Sequence, residues 1–126
     1  MADLVRSPFR GPIFENHVAC EIVKAQQHHG HRRELYFLRD KTGVEVDFAV
    51  PLGARRLALV EAKSTRTILP KMGQPMRQFM SAAKAYECQG WIVHPGPDLA
   101  GFSGAGEGVR TCSADSIPRK ILGFGG

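Results

Sequence analysis

The order of hydrophobic patterns along the chain predicts an α/β domain in which helices flank a mixed central sheet. One helix is followed by three strands, a second helix and a fourth strand. Short links between the first three strands favour antiparallel pairing, whereas a strand, a helix and a strand in succession favour a right-handed crossover to a parallel neighbour. The 126 residues, 43% of them hydrophobic, suffice for one core. We therefore expect a single domain over 1–126, with its core at 11–94 and a glycine-rich loop and tail at 95–126.

The first helix is predicted over residues 12–27, with Pro12 at its first position. Its apolar stripe has helical spacing and consists of Phe14, Val18, Ile22 and Ala25. Glu15 lies on the same side as this stripe, so its carboxylate is expected to face the body of the protein. A partly buried carboxylate needs a cation, a metal ion or a hydrogen-bond network as its partner.

Two neighbouring strands are predicted to carry charged residues. Residues 44–50 alternate, so one face holds Val44, Val46, Phe48 and Val50 and the other holds Glu45, Asp47 and Ala49. Residues 56–64 alternate in the same way, with Leu57, Leu59, Glu61 and Lys63 on one face and Ala58, Val60 and Ala62 on the other. If the two registers align, Asp47 and Glu61 lie close together across the strands.

Two carboxylates that close repel each other, and a hard divalent cation removes the conflict. We expect Asp47, Glu61 and the backbone carbonyl of Ala62 to bind Mg²⁺ or Mn²⁺, with Glu15 joining through water or orienting the nucleophile. The metal ion would polarise a phosphate and lower the pKa of its bound water. The ammonium of Lys63 would hold the attacking water or stabilise the charge of the transition state.

The same residues also fit a structural role. Glu61 and Lys63 can form a surface ion pair at a polar strand end, with Asp47 facing solvent. Glu45 shares the predicted face of Asp47 and is either a further acid of the site or an exposed neighbour. A structure with Asp47 and Glu61 on opposite faces of the sheet would favour this structural reading.

The rest of the chain supplies the second helix and three further strands. The helix is predicted over 75–88, with a core-facing stripe of Met76, Phe79, Met80, Ala83 and Tyr86. The other segments are a first aromatic strand at 35–39, a loop at 65–73, a buried strand at 90–95, an edge strand at 109–112 and a tail with one helical turn at 117–126.

The charge of the chain favours a polyanionic partner. The formal net charge is +5, which suits phosphate contacts with nucleic acid, and DNA is the expected class. The basic residues that we expect around the carboxylate cleft are Arg32, Arg33, Arg39, Arg55, Arg56, Arg66, Lys71 and Arg77.

Other classes of protein find little support in the sequence. Cys20, Cys88 and Cys112 are far apart with no Cys-x-x-Cys, and each is predicted as a small buried or half-buried apolar residue. No signal peptide and no run of about 18 apolar residues occurs, so we expect a cytoplasmic chain without a membrane segment. The glycine-rich loop lacks the Gly-Lys-Ser/Thr of a nucleotide-binding loop.

The motifs together resemble a known family. The segments GPIFENHVACEIVKA, LYFLRDKTGVEVDFAV and LALVEAKS, in this order, resemble the uncharacterised C-terminal domain that follows the ATPase module in many prokaryotic AAA+-type ATPases. More broadly, Glu15, Asp47 and Glu61-Ala62-Lys63 resemble the PD-(D/E)xK nuclease superfamily, with Val46 in place of the proline. The resemblance covers about residues 11–94.

This resemblance implies a restriction-endonuclease-like α-β-β-β-α-β core and a metal-dependent nuclease site at Asp47, Glu61, Lys63 and Glu15. No Walker motif occurs, so an AAA+ ATPase module is a partner rather than part of this chain, which is expected to be a fragment or a free-standing remnant. A homodimer is also expected, because two cuts in a duplex need two sites.

Three functions follow from these observations. The first is a Mg²⁺- or Mn²⁺-dependent DNA endonuclease or exonuclease. The second is a weak or inactive nuclease-like module that binds nucleic acid or a protein partner, or regulates a linked ATPase. The third is a small structural domain in which the Glu61–Lys63 pair is incidental.

Overall fold

The computed structural model describes residues 10–39, 45–65, 67–98 and 108–124. Two α-helices and five strands make up most of these ranges, and single helical turns occupy the rest of the regular structure. In chain order the elements are α1 Arg10–His28, β1 Tyr36–Arg39, β2 Glu45–Gly53, β3 Arg56–Ala62, a 3₁₀ turn Pro70–Gly73, α2 Gln74–Ala82, β4 Glu87–His94, β5 Val109–Ser113, a 3₁₀ turn Ala114–Ser116 and a π-type turn Ile117–Ile121.

The strands form one mixed sheet in the order β1-β2-β3-β4-β5. The pairs β1–β2 and β2–β3 are antiparallel, and the pairs β3–β4 and β4–β5 are parallel. The predicted α/β class with a mixed central sheet is therefore confirmed, including the parallel return after the second helix. Within the described ranges, no helix is both long enough and apolar enough to cross a membrane.

Each face of the sheet has its own core. On one face, α1 contributes Val18 and Ile22, and the turn Ile117–Ile121 contributes its two isoleucines. They pack against Phe48 and other inward residues of β2 to β5. On the other face, Met76 of α2 packs against Leu59 and Ile92 and their neighbours. Helices therefore cover both faces, as the sequence predicts.

The alternation predicted for β2 is wrong at one point. Phe48 and Val50 face α1, but Val46 packs in the other core, against the side covered by α2. The pairing with β1 explains the difference. Tyr36 pairs with Ala49 and Leu38 with Val46, so three steps in β2 oppose two in β1. This β-bulge reverses the orientation of the side chains on its two sides.

The helix predicted over 75–88 is also too long. The helix ends at Ala82, and Glu87 already pairs with Arg56 at the start of the parallel ladder. The backbone N–H of Glu87 also donates to the carbonyl of Arg55 at 2.6 Å. Glu87 and Cys88 therefore pair as a strand although their own sequence pattern favoured a helix. Conversely, α1 begins at Arg10, so Pro12 is not its first residue.

The C-terminal residues belong to the core. A helical turn near the end of the chain is present as predicted, and Ile117 and Ile121 are 0% and 2% exposed. Cys112 and Val109 of β5 are buried as well, so the core continues past residue 94. Of the other cysteines, Cys88 is half-buried but Cys20 is exposed, contrary to expectation. Predictions for Val44, Arg66 and residues 99–107 lie outside the described residues.

Truncating the buried end of the chain should destabilise the whole domain. We expect Ile121→Ala to lower the free energy of unfolding by roughly 2–5 kcal/mol, because it leaves a cavity beneath α1. Ile13→Ala, at a side chain that is 61% exposed, is the matched control and should have little effect. Urea unfolding at equilibrium measures both changes. Equal, small losses for the two variants would show that the C-terminal turn does not contribute to the core.

Candidate active site

The predicted acids meet where the ladder between β2 and β3 ends. The last paired residues at this end are Phe48 and Val60. One step further, Glu61 Oε1 accepts a hydrogen bond from the backbone N–H of Asp47 at 3.0 Å. In return, Asp47 Oδ2 accepts one from the backbone N–H of Ala62 at 2.8 Å. The two carboxylates thus take the place of backbone partners and are held side by side across the strands.

Lys63 joins this pair from the end of β3. Its Nζ lies 3.4 Å from Glu61 Oε2, and its backbone N–H donates to the carbonyl of Val93 at 2.9 Å. The second bond keeps Lys63 in line with the parallel ladder to β4, although the strand itself ends at Ala62. The side chains of Glu61 and Lys63 are 14% and 35% exposed, so their ion pair is only partly screened by water.

Glu15 approaches the same acids from α1. Its side chain is half-buried, and burial followed by repulsion from Glu61 raises the pKa of its carboxyl above the usual value. Burial also raises the pKa of Asp47 to about 7, with repulsion from Glu61 as the next cause. Repulsion from Glu15 adds to this shift, while the Ala62 N–H and the Lys63 ammonium oppose it. The structure therefore brings together all four side chains that the sequence singled out.

These residues fit a hard divalent cation in their charge and in their donor type. Three carboxylates face one ammonium, so two negative charges lack compensation when all are ionised. The N–H of Ala62 points toward β2, and in a strand the carbonyl of the same residue points to the same side. Across the described ranges, however, no three His, Cys, Asp or Glu side chains converge as a ready-made metal centre. Asp47 and Glu61 are joined directly through the ends of their strands, whereas Glu15 acts on them through its charge.

A pocket of about 300 Å³ opens beside these acids. It is lined by Glu15, Phe37, Leu38, Glu45, Val46 and Asp47. Glu45 is exposed and lines this pocket together with Asp47, so it is near the site. Phe37 was not expected to contribute here. Its ring is 78% exposed and contacts Phe48 at a centroid distance of 5.7 Å.

Three of the predicted basic residues lie away from the acids. Arg32 lines a second pocket of about 570 Å³ together with Gly53 and Ala54. Arg55 follows in the exposed turn between β2 and β3, and Arg56 is the exposed first residue of β3. Asp47 is six residues from Gly53 along β2, or about 20 Å. Arg32, Arg55 and Arg56 thus lie together at the end of the sheet opposite the carboxylates and not around the cleft, where they were expected.

The remaining basic residues divide into two groups. Arg33 and Lys71 are exposed, and Arg77 Nη2 donates to the carbonyl of Pro70 at 2.9 Å, which anchors α2 to the turn before it. The side chain of Arg39 and all of Arg66 lie outside the described residues.

Sequence reasoning missed one polar residue near the site, His94 at the end of β4. It is 3% exposed and follows a buried apolar run, just as Lys63 follows the buried run of β3. A comparison of the ends of the two parallel strands would have placed both residues at the same edge of the sheet.

Comparison with known proteins places this α/β domain, with its carboxylate–lysine site, in a family. Residues 10–111 match the model of a family described as "Domain of unknown function (DUF4143)". The match covers most of the chain, and the chain belongs to this family. The likeness to PD-(D/E)xK nucleases remains a prediction.

Two curated relatives are similar to part of the chain. They are proteins named histone chaperone rtt106, from Neosartorya fischeri and Aspergillus fumigatus, each 32% identical over 94 residues. The similar region is 67% of this chain but 20% of either relative, so the chain spans about a fifth of their length. No solved structure matches the chain.

The raised pKa of Asp47 predicts a particular dependence of stability on pH. Unfolded Asp47 ionises near its ordinary pKa of 3.8, whereas the folded carboxyl keeps its proton up to about pH 7. The free energy of unfolding should therefore fall as the pH rises between these values and stay constant above them. Asp47→Asn keeps an oxygen for the Ala62 N–H but cannot ionise. We expect it to be more stable than the wild type at about pH 8 and similar at about pH 4.

Thermal unfolding at the two pH values measures this effect. Asp115→Asn changes an exposed aspartate on the turn Ala114–Ser116 and serves as the control. The explanation is wrong if the advantage of Asp47→Asn at the higher pH is no larger than at the lower pH.

Proposed function

We propose that this domain is a metal-dependent nuclease that hydrolyses phosphodiester bonds, with DNA as the expected substrate. The observation that supports the proposal is the pair of reciprocal hydrogen bonds that hold Asp47 and Glu61 together, with Lys63 beside Glu61. The same arrangement lies beside a helix carboxylate, Glu15, and an open pocket. A carboxylate pair with an adjacent ammonium suits the hydrolysis of a phosphodiester more closely than it suits a neutral substrate.

Each residue has a distinct task in this proposal. Asp47 and Glu61 bind Mg²⁺ or Mn²⁺ through their carboxylates, with the carbonyl of Ala62 as a third oxygen and Glu15 acting through water. When bound, the ion supplies polarisation of the phosphate and acidification of water. Lys63 orients the attacking water or donates to the phosphate oxygen whose negative charge grows in the transition state. The pocket beside Asp47 gives the phosphate access to these groups.

A second candidate is a nuclease-like module that binds without cutting. The observation that favours it is that Asp47 and Glu61 both already have partners, because each accepts a backbone hydrogen bond that joins β2 to β3. Such bonds have structural value even if no metal ion binds. The exposed arginines at the other end of the sheet would then hold nucleic acid, and a linked AAA+ ATPase would be the functional partner.

The name of the fungal relatives suggests a third partner class, histones. Histones are strongly basic, and this chain has a formal net charge of +5. Repulsion between like charges opposes association with histones, whereas the positive net charge attracts a polyanion. We therefore favour nucleic acid over histones as the partner of this domain.

Cleavage of DNA should depend on a divalent cation and on Lys63. We expect the purified chain to cut duplex, branched or single-stranded DNA with Mg²⁺ or Mn²⁺ and to stop when EDTA is added. Lys63→Ala should lower kcat by about 100- to 1,000-fold, because a charge that stabilises the transition state is removed. Gel assays with end-labelled DNA measure both effects.

Lys84→Ala is the matched control, since it removes an exposed lysine from the link between α2 and β4 and should retain activity. If wild-type protein at micromolar concentration leaves every DNA form intact with either metal ion, the nuclease proposal fails. Cleavage by Lys63→Ala at the wild-type rate would contradict the role proposed for Lys63.

Binding of nucleic acid should depend on the basic end of the sheet. We expect Arg55→Ala and Arg56→Ala each to weaken binding at low salt and to reduce the slope of log K against log salt by about 0.9 for each phosphate that the arginine neutralises. Fluorescence anisotropy at several salt concentrations gives this slope. The comparison variant is Arg110→Ala. Arg110 is an exposed residue of the edge strand β5, and its guanidinium lies over the ring of Trp91 in β4. Undetectable binding by the wild type at low salt would exclude a nucleic-acid role for this surface.

A further inference from the structure

His94 has a buried ring nitrogen without a hydrogen-bond partner. Its Nδ1 lies 2.9 Å from the carbonyl oxygen of Pro95, and the whole residue is 3% exposed. Its Nε2 is inaccessible to water and makes no hydrogen bond with any residue that the structure describes. Unpaired buried polar atoms are rare in native proteins because they forfeit hydration and gain nothing in return.

The bond to Pro95 defines what the second nitrogen can do. A carbonyl oxygen only accepts, so Nδ1 must carry the proton and donate it. In the neutral ring Nε2 then presents a lone pair, and it can only accept a hydrogen bond. The buried atom is therefore an acceptor that lacks a donor.

The nearest candidate donor by strand register is Lys63. Glu61 pairs with Ile92 and Ala62 with Val93 in the parallel ladder, and the next step places Lys63 opposite His94. Leu59 and Ile92 share one core, so alternation puts Lys63 and His94 on that same face of the sheet. Neighbouring strands are about 4.8 Å apart, which is within reach of a lysine side chain.

Ser113 is the other register neighbour of His94, across the β4–β5 pair. Its hydroxyl lies 3.4 Å from Ser116 Oγ, and its backbone N–H donates to Asp98 at 2.7 Å. Ser116 in turn donates to Asp98, and Lys120 Nζ lies 3.3 Å from the same carboxylate. These groups therefore satisfy one another on β5, whereas Lys63 pairs with one carboxylate oxygen, Glu61 Oε2, within the part of the chain that the structure describes.

A cation at Glu61 would create a conflict for Lys63. Glu61 Oε1 is held by the N–H of Asp47, and Glu61 Oε2 lies against the Lys63 ammonium. A divalent ion that used this carboxylate would repel the ammonium and compete for the same oxygen. Lys63 then needs another acceptor, close by and uncharged.

We propose that His94 is a positioning residue, which accepts a hydrogen bond from the Lys63 ammonium when a cation binds the Glu61 carboxylate. The ammonium turns from Glu61 Oε2 and donates to His94 Nε2, which holds it at the edge of the site. The need for this second position rests on the proposed metal-dependent function. The movement of the lysine itself does not, because any loss of charge at Glu61 should release the ammonium.

Nitrogen NMR of the histidine ring tests the movement without metal ion or substrate. Glu61→Gln keeps an oxygen for the Asp47 N–H but removes the negative charge. We expect the His94 Nε2 resonance to move upfield in this variant, as for a nitrogen that accepts a hydrogen bond. The double variant Glu61→Gln with Lys63→Met should lose the change, whereas Glu61→Gln with Ser113→Ala should keep it. An Nε2 resonance that is the same in wild type and Glu61→Gln overturns the inference.

Kinetics provide a second readout. We expect His94→Leu to lower kcat by about 10- to 100-fold at unchanged KM, and His94→Gln, whose amide oxygen can accept from Lys63, to restore part of the loss. His94→Leu should unfold about as easily as the wild type, because removal of the unpaired Nε2 offsets the lost bond from Nδ1 to Pro95. Full activity in His94→Leu contradicts the inference. If the wild type cuts no DNA but the NMR change occurs, the nuclease proposal fails and the role of His94 stands.

Discussion

The exchange of hydrogen bonds between Asp47 and Glu61 determines the character of this domain. Backbone pairing between β2 and β3 ends at Phe48 and Val60, and the next N–H groups would lack partners inside the protein. The two carboxylates supply those partners at 2.8 and 3.0 Å. One pair of side chains therefore finishes the sheet and also places two acids at its edge. Structure and chemistry depend on the same atoms here.

This arrangement has an electrostatic cost. Asp47, Glu61 and Glu15 are partly buried and repel one another, and among the described residues it is Lys63 that brings the opposite charge to them. The repulsion can be relieved in two ways, by a proton on Asp47 or by a cation between the acids. A pKa of about 7 for Asp47 makes the proton available near neutral pH, and the metal binding that we propose would be coupled to its loss.

The charges of the domain are separated along the strands. The acids lie at the end where β2 begins and β3 finishes, and Arg55, in the turn, and Arg56, the first residue of β3, lie at the other end. About 20 Å of sheet separates the two groups, which exceeds the Debye length of about 8 Å at physiological ionic strength. A polyanion can therefore be held by the arginines with little repulsion from the carboxylates, and only the segment that enters the pocket meets the acids.

Local sequence patterns were sufficient to predict which residues of α1 and β3 are buried. The apolar stripe of α1 predicted the buried Val18 and Ile22, and the alternation of β3 predicted that Ala58 and Val60 would pack on one face and Leu59 on the other. Periodicity reports the faces of one element, and it succeeds where that element is regular. Asp47 and Glu61 could be found in this way because each lies in a strand, and Lys63 because it directly follows one.

The sequence by itself thus determined the class of fold, the helix and strand faces and the identity of the acids and the lysine. Only the tertiary structure decided the bulge that turns Val46 away from Phe48, the early end of α2, the burial of Ile117 and Ile121, and the place of His94 next to Lys63. These features depend on which strand pairs with which and in what register. Pairing joins residues far apart in the chain, so its free energy leaves no mark in the local pattern of either segment.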